Sequence, residues 1–276
     1  MGKLEIPIET IVMMTIEKIS KQEDCLSFEL KNARFVFRRI KAAEFVMGAT
    51  DFRKDTLPPH KVVISHDYWM QETLVTQLQW HQLGGTSIAE MIKETEFDSF
   101  NGLGDNYPIY FVSWNEAVEF CNKLTTALKD YGLIASLPTE AEWEYACRCG
   151  SYLPYSFGDT CDGTQANCNG KFPYGQGKGG IWKEEATPVY SYKPNPFGLY
   201  DMHGNMWEWC NDWYSETYYK DSPVVDPKGP EFGVNKVVRG GSWRSHAECC
   251  RSAFRDQDAP DYRGRSAGFR ITLKAK

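Results

Sequence analysis

The chain has 276 residues, of which 42% are hydrophobic and 14% aromatic, and its formal net charge is −6. That length can bury a large core without disulfide bonds, and the acidic balance excludes a general nucleic-acid-binding surface, because phosphate binding needs a basic face. The N-terminal residues show no basic leader followed by a long apolar run, so we expect neither a signal peptide nor membrane insertion. The sequence therefore predicts a cytoplasmic protein, with export by another route left open.

The N-terminal residues mix apolar and charged side chains. Residues 1–35 are predicted to form an extension that packs on one main domain, residues 36–276. Alternation of apolar and polar residues in LSFELKNARFVFRRI predicts a hairpin over Leu26–Ile40.

Three helices are predicted from capping boxes, in which Ser or Thr caps the helix and an acid or amide three residues later bonds back. The boxes begin at Thr76, Ser113 and Thr139. The helix after Ser113 has one apolar face. That face consists of Ala117, Phe120, Cys121, Leu124 and Leu128.

Residues 150–200 are rich in Gly, Pro, Asn and Tyr and are predicted to be mostly loop. A loop this long in a compact domain is usually functional or held by a metal. Short strands are predicted at VVRGG, residues 237–241, and at GFRITL, residues 268–273. The elements together indicate an α+β fold with much irregular structure.

The nine cysteines form no regular framework. Cys147 and Cys149 are one residue apart and Cys249 and Cys250 are adjacent, and neither is the C-x-x-C spacing of a zinc site. We therefore expect reduced thiols, most of them buried. The five histidines show no H-x-x-x-H or H-x-D pattern that would indicate an iron site.

Several linked motifs resemble the formylglycine-generating-enzyme (sulfatase-modifying factor) family. They include FVMGA at 45–49, LPTEAEWEYACR at 137–148, NPFGLYDMHGNMWEWCNDWY at 195–214 and VVRGGSW at 237–243. The resemblance covers residues 35–272 and implies a C-type-lectin-like fold. That family includes copper oxidases that make formylglycine, domains of iron sulfoxide synthases, a pyoverdine-maturation protein and ligand-binding proteins diversified by retroelements. Fold alone does not choose among these functions.

The copper-binding cysteine pair of that family is broken here. In the copper enzymes the first thiol lies three residues after the RGGS serine, where this chain has Ser245. The second would be Cys250 in an ungapped alignment, but the later Arg255, Gln257 and Pro260 indicate a short deletion, which makes Cys250 a buried residue. A hydroxyl is a poor Cu(I) ligand, and Cys249 cannot pair with its neighbour because adjacent side chains of an extended chain point apart. Copper-dependent formylglycine formation is therefore not expected.

A calcium site is implied by the resemblance. It falls on the side chains of Asp201 and Glu208 and on the carbonyls of Gly204 and Met206, a mixture of oxygens that suits a hard cation. The alternative is a solvated loop anchored by Trp207 and Trp209.

The C-terminal tail has an unusual composition. Residues 237–273 contain no Lys and seven of the twelve Arg. Many tail positions carry residues that an Asn codon with randomised adenines could encode, and retroelement-diversified members of the family vary this same surface. Such a surface resembles an antibody paratope. The predicted ligand-binding residues are Arg244, Ser245, His246, Cys249, Phe254, Asp256, Asp258, Tyr262 and Arg265.

Three hypotheses follow from these patterns. In the first, the tail presents residues 244–266 to a protein or glycan ligand. In the second, the chain is an oxidoreductase with another metal arrangement, using Cys249, Cys250 and His246. In the third, it is an inactive regulatory partner of a true enzyme of the family.

Overall fold

The computed structural model describes residues 16–50, 53–93 and 102–276. Residues 1–15 of the predicted N-terminal extension lie outside these ranges. The described chain contains twelve strands: β1 (Ile16–Gln22), β2 (Cys25–Leu30), β3 (Ala33–Ile40), β4 (Ala43–Met47), β5 (His60–Ile64), β6 (Tyr68–Gln71), β7 (Leu133–Ser136), β8 (Trp207–Trp213), β9 (Lys236–Arg239), β10 (Arg255–Asp258), β11 (Ala267–Gly268) and β12 (Thr272–Ala275). Its α-helices are α1 (Gln77–Gln82), α2 (Ile88–Ile92), α3 (Trp114–Ala127) and α4 (Glu140–Arg148).

The larger sheet is antiparallel and has the strand order β1-β2-β3-β6-β12-β7. The predicted hairpin is confirmed as β2 and β3, in which Phe28 pairs with Phe35. Phe28 also stacks on Phe35 and Phe37, with ring centroids 5.0 and 5.8 Å apart. Strands β1 and β2 therefore extend the main sheet, and the predicted domain boundary at residue 35 stays a prediction.

The smaller sheet has the order β10-β9-β8-β11, with β11 parallel to β8, and β4 and β5 form a separate hairpin. The single strand predicted over residues 268–273 was wrong in one respect. The chain pairs with the smaller sheet at Ala267–Gly268, crosses over, and joins the larger sheet at Thr272. Arg270 is buried at this crossing, so the crossing links the two sheets.

The three predicted capping boxes are confirmed at the starts of α1, α3 and α4. At α3, for example, the Ser113 hydroxyl accepts a hydrogen bond from the Glu116 amide. The predicted apolar face of α3 is buried. Its Phe120 stacks on Trp80 of α1, with ring centroids 5.6 Å apart. A fourth capping box, from Ser87 to Glu90, begins α2 and was missed.

Helix α4 is buried along its whole length and carries acids that bind the arginines of the tail. Arg255 donates to both carboxylate oxygens of Glu140, and Arg239 donates to Glu140 and to Glu144. A buried charge without a partner is costly. These ion pairs therefore fix β9 and β10 against α4.

The long loop predicted over residues 150–200 is confirmed, since only isolated bridges occur between α4 and β8. It folds back on itself closely. A Cβ on Gly170 would lie 2.1 Å from the Asp162 carbonyl oxygen, so a larger residue would clash there. In the described ranges, no helix combines the length and apolar character that crossing a bilayer requires.

Candidate ligand-binding surface

The seven arginines of the tail fall into three groups. Arg239, Arg251, Arg255 and Arg270 are buried and hold the tail in place. Arg244 is exposed and Arg265 is half-buried. The seventh arginine, at position 263, pairs with Glu116 across a distance of 2.7 Å. The high arginine content of the tail is thus mainly structural, and two arginines remain at the accessible positions predicted to bind a ligand.

Eight of the nine predicted ligand-binding residues are accessible. Arg244, His246, Asp256 and Tyr262 are exposed, and the others are half-buried. We call these eight the tail surface: Arg244, Ser245, His246, Cys249, Asp256, Asp258, Tyr262 and Arg265.

Phe254, the ninth predicted residue, lies elsewhere. Its side chain is only 6% exposed, and its ring packs under the Arg53 guanidinium at 4.1 Å and beside the Trp207 ring at 6.0 Å. The sequence pattern could not separate an exposed aromatic residue from a buried one. Phe254 therefore supports the tail surface from below.

The first part of the tail surface lies beside the long loop. Asn169 donates its amide hydrogen to the Ser245 carbonyl at 2.8 Å, and Ala247 donates to the Phe172 carbonyl at 3.1 Å. The His246 ring stacks on Phe172, with centroids 4.0 Å apart. Phe172 is 51% exposed and joins this surface, although no local sequence signal indicated it.

The second part of the tail surface carries both signs of charge. Asp256 and Asp258 alternate along β10, and burial together with the neighbouring Asp256 carboxylate raises the pKa of Asp258 to about 6. Next to Arg265, the Ser266 carbonyl accepts a hydrogen bond from the Trp207 amide at 2.8 Å. Trp207 thus lies between Phe254 below and the turn that carries Arg265. The surface combines aromatic, cationic and acidic groups on fixed backbone, as binding surfaces commonly do.

The residues at the family's copper positions have other partners. The Ser245 hydroxyl accepts a hydrogen bond from the Ser242 amide at 3.0 Å and bonds the Ser242 hydroxyl at 3.0 Å. Cys250 is fully buried, as predicted, and packs against Gly241, where a Cβ would lie 2.5 Å from its sulfur. Burial raises the pKa of Cys249 to about 11, so this thiol is protonated at neutral pH and is a weak nucleophile.

The predicted calcium residues lie together at the start of β8. Asp201 is largely buried, and its Oδ2 atom has no hydrogen-bond partner. Burial raises the pKa of Asp201 to about 7, and the positive charge of the nearby Arg270 opposes part of this increase. Gly204 has φ of 107°, and a Cβ there would lie 2.4 Å from the Asn167 carbonyl oxygen. Met206 is fully buried.

Glu208, the fourth predicted calcium residue, already has partners. Arg270 donates to both of its oxygens at 2.6 and 2.7 Å, and the Trp143 indole donates at 2.9 Å. In the described ranges no cluster of three or more His, Cys, Asp or Glu side chains is arranged to hold a metal. The orphaned oxygen of Asp201 fits a cation, whereas Glu208 would share its carboxylate between a cation and Arg270.

A cavity of about 620 Å³ lies beside Asp201 and His203. Burial lowers the pKa of His203 to about 4. Its Nδ1 bonds the Cys250 carbonyl at 2.8 Å and its Nε2 accepts from the Ser156 amide at 3.1 Å. Both ring nitrogens are therefore used within the protein, and His203 links the loop to the tail.

Among curated proteins, the formylglycine-generating enzyme of Streptomyces coelicolor is 41% identical over 179 residues, which is 62% of this chain and 54% of that protein. The formylglycine-generating enzyme of Mus musculus is 39% identical over 174 residues, covering 60% of this chain and 44% of that protein. The serine/threonine-protein kinase pkn1 of Chlamydia caviae is 31% identical over 256 residues, which cover 86% of this chain and 38% of that protein. The chain spans about half the length of these relatives or less.

Two solved structures are similar over nearly the whole chain. Treponema denticola variable protein 1 aligns with a TM-score of 0.73 and 27% identity, covering 89% of this chain and 97% of that one. PvdO from Pseudomonas aeruginosa aligns with a TM-score of 0.69 and 25% identity, covering 92% and 100%. The predicted α+β, C-type-lectin-like fold is confirmed. Residues 30–275 match the sulfatase-modifying factor enzyme 1-like domain, and the chain belongs to that family.

Proposed function

We propose that this chain is a ligand-binding protein that presents residues 244–266 to a protein or glycan, without copper-dependent formylglycine-generating activity. The observation that carries the proposal is the division of the tail. Positions that hold the fold together, such as Arg239, Arg255 and Arg270, are buried in ion pairs, whereas the tail surface is accessible. A scaffold fixed in this way can change its surface residues without losing its fold.

The similarity to Treponema denticola variable protein 1 supports the proposal. The two chains share 27% of their residues, and 97% of that protein is covered. That protein is named a variable protein, which agrees with the retroelement-diversified members that the family resemblance implies. Fold similarity alone would not carry a function, so the accessible positions of this chain remain the main argument.

The residue at position 245 supports the absence of copper chemistry. Cu(I) is bound by soft thiolates, and a serine hydroxyl is a hard, weak ligand for it. Ser245 is moreover held by Ser242, and Cys250 lies under Gly241 in the buried core. Ser245 has no sulfur, and the buried Cys250 has packing partners of its own. Both observations support a protein that lacks the Cu(I)-binding thiolate pair.

Sequencing of the 3′ coding end in a natural population of the source tests the proposal. We expect variation at the tail-surface positions and constancy at the buried arginines. A uniform tail would contradict a diversified binding protein. Ligand screening by surface display then follows, with Tyr262→Ala and Arg244→Ala expected to weaken binding at least tenfold, because Tyr and Arg often dominate interfaces. Asp130→Ala, on the exposed turn after α3, serves as the control.

The second candidate function is an oxidoreductase, which the 41% identity to a formylglycine-generating enzyme favours. Anaerobic titration with Cu(I) and Fe(II), followed by oxygen uptake with a cysteine-containing sulfatase peptide, separates the two functions. Stoichiometric metal binding with peptide oxidation would support the enzyme. A Ser245→Cys variant is the matched comparison, since it restores the family's first thiol. Co-purification with an active paralogue would instead indicate the regulatory partner.

We also propose that Asp201 and Glu208, with the carbonyls of Gly204 and Met206, bind a structural calcium ion. The unpartnered, buried Oδ2 atom of Asp201 supports this proposal. A bound Ca²⁺ would supply no catalytic chemistry there, and it would link the turn before β8 to the strand itself.

A further inference from the structure

Three thiols meet in a buried cluster that the proposed function does not use. The sulfurs of Cys161 and Cys168 are 3.7 Å apart, and the Cys250 side chain belongs to the same buried cluster. All three side chains are at most 1% exposed. They pack with Tyr155 and Ala247 in a small core of their own, separate from the two main cores.

The cluster lies where the long loop meets the tail. Cys161 and Cys168 come from the loop, and Cys250 ends the 3₁₀ turn Ala247–Cys250. The Asn169 amide, next to Cys168, bonds the Ser245 carbonyl. The Tyr155 hydroxyl bonds the Ala247 carbonyl at 2.6 Å. The thiols therefore lie directly beneath the first part of the tail surface.

The turn between Cys161 and Cys168 is well ordered by its own contacts. Thr164 donates from its amide and its hydroxyl to the Asp162 carboxylate, at 3.1 and 2.6 Å. The backbone of Cys161 pairs with Tyr174 in an isolated bridge. This turn brings both cysteines together, and the tail holds the residue after Cys168 through the Asn169 amide.

We propose that Cys161 and Cys168 form a redox-controlled disulfide, with Cys250 as the neighbouring thiol that stays reduced. The two sulfurs, 3.7 Å apart, are in van der Waals contact, and movement of the side chains towards each other brings them to the S–S bond length of about 2.05 Å. A metal site is not assigned to the three thiols, because the described ranges contain no group of three such side chains arranged around a metal.

The oxidant is a small disulfide such as oxidised glutathione. One cysteine thiolate attacks its S–S bond and releases one glutathione thiolate, leaving a mixed disulfide. The second cysteine thiolate attacks the protein sulfur of that mixed disulfide, which forms the Cys161–Cys168 bond and releases the second glutathione. Two protons pass from the protein thiols to the two glutathione thiolates, and two electrons reduce the oxidant.

Burial decides when this reaction occurs. Thiols react as thiolates, and a buried neutral thiol reacts slowly. Exchange therefore takes place during folding or in a locally opened loop. We expect slow oxidation of the folded chain and efficient oxidation during refolding in a glutathione buffer.

Peptide mapping tests the disulfide directly. The chain is unfolded in urea and refolded in oxidised and reduced glutathione. It is then blocked with iodoacetamide in urea, so that buried thiols also react, and digested with trypsin. Trypsin cuts after Arg148 and Lys171, so one peptide carries Cys149, Cys161 and Cys168. We expect this peptide to bear one alkyl group, on Cys149, and to gain the other two after reduction. The peptide of residues 245–251 should carry two alkyl groups, on Cys249 and Cys250.

Two results would overturn the proposal. Full alkylation of all three cysteines in residues 149–171 would show that no disulfide forms, and a cross-link between this peptide and residues 245–251 would show that Cys250 is the partner. A Cys161→Ser variant should lose the disulfide, and Cys25→Ser, on the distant strand β2, should keep it. Because the mapping uses the unaltered chain, its result does not depend on whether a buried serine is tolerated.

Discussion

Arg255 donates two hydrogen bonds to Glu140, from Nε to Oε1 at 2.6 Å and from Nη2 to Oε2 at 2.8 Å. The two residues are 115 positions apart in the chain, and both are almost completely buried. Arg255 also donates to the Asp55 carbonyl at 2.8 Å. Arg255 lies directly between Phe254 and Asp256, two residues that an Asn codon with randomised adenines could encode. A buried, ion-paired residue therefore separates two positions that such a codon could vary.

Loss of the Arg255 guanidinium should be costly. Arg255→Ala leaves the buried Glu140 carboxylate with only the single bond from Arg239, at 3.1 Å. We expect the free energy of unfolding to fall by about 3–5 kcal/mol, as when one partner of a buried ion pair is removed. Urea unfolding followed by tryptophan fluorescence measures this. Arg244→Ala, at an exposed position, should change the free energy of unfolding by less than about 0.5 kcal/mol. Equal losses in the two variants would contradict the inference that the buried arginines of the tail, and not the exposed ones, hold the fold.

The elements set by local chemistry could be predicted from sequence. The capping boxes at Thr76, Ser113 and Thr139 depend on residues three apart, and each formed as expected. The hairpin of β2 and β3 depends on alternation over a short stretch. In both cases the signal and the structure lie within the same few residues.

Long-range partners could not be predicted in this way. The crossing at Arg270 depends on Glu208, 62 positions earlier, and the burial of Phe254 depends on Arg53 and Trp207. Phe172 joins the tail surface only because the long loop folds next to His246. A single sequence does not show which distant residues contact each other. Eight of the nine predicted ligand-binding residues are therefore accessible, whereas Phe254 is buried.

A randomised Asn codon could vary Phe254 as well as the exposed tail positions, but Phe254 is buried. We therefore expect the fold to tolerate substitutions at the exposed positions and not at Phe254. Simultaneous replacement of Arg244, His246, Asp256 and Tyr262 by Ser should leave the melting temperature within a few degrees, because these side chains are exposed. Phe254→Ser should cost about 3 kcal/mol or more, since it opens a cavity and buries a hydroxyl. Thermal unfolding by circular dichroism compares the two. A fully stable Phe254→Ser variant would show that Phe254 is not needed to support the surface.

The buried Asp212 should make stability depend on pH. Burial, together with the Glu140 carboxylate, raises the pKa of Asp212 from 3.8 to about 8. The folded chain then holds a proton that the unfolded chain releases, so this contribution to stability is full below about pH 4 and is lost as the pH rises towards 8. Each pH unit is worth at most about 1.4 kcal/mol.

Asp212→Asn tests this pH dependence, because the amide oxygen can still accept the Glu140 backbone hydrogen bond, which is 2.9 Å long in the native chain. Urea titrations at pH 5, 6, 7 and 8 should show the variant gaining stability relative to the native chain at each step. A constant difference across this range would mean that Asp212 does not titrate there.

Calcium should stabilise the fold through Asp201. Its unpartnered Oδ2 atom is buried at the turn before β8, and a ligand that binds only the folded chain raises its stability by about 2.7 kcal/mol at a hundred times its Kd. We therefore expect the melting temperature of EDTA-treated protein to rise on addition of CaCl₂. Asp201→Asn should abolish this rise, and Asp261→Asn, which removes an exposed carboxylate of the tail, should keep it. An unchanged melting temperature of the native chain would mean that the turn is stable without a cation, with the Glu208–Arg270 pair supplying the charge balance alone.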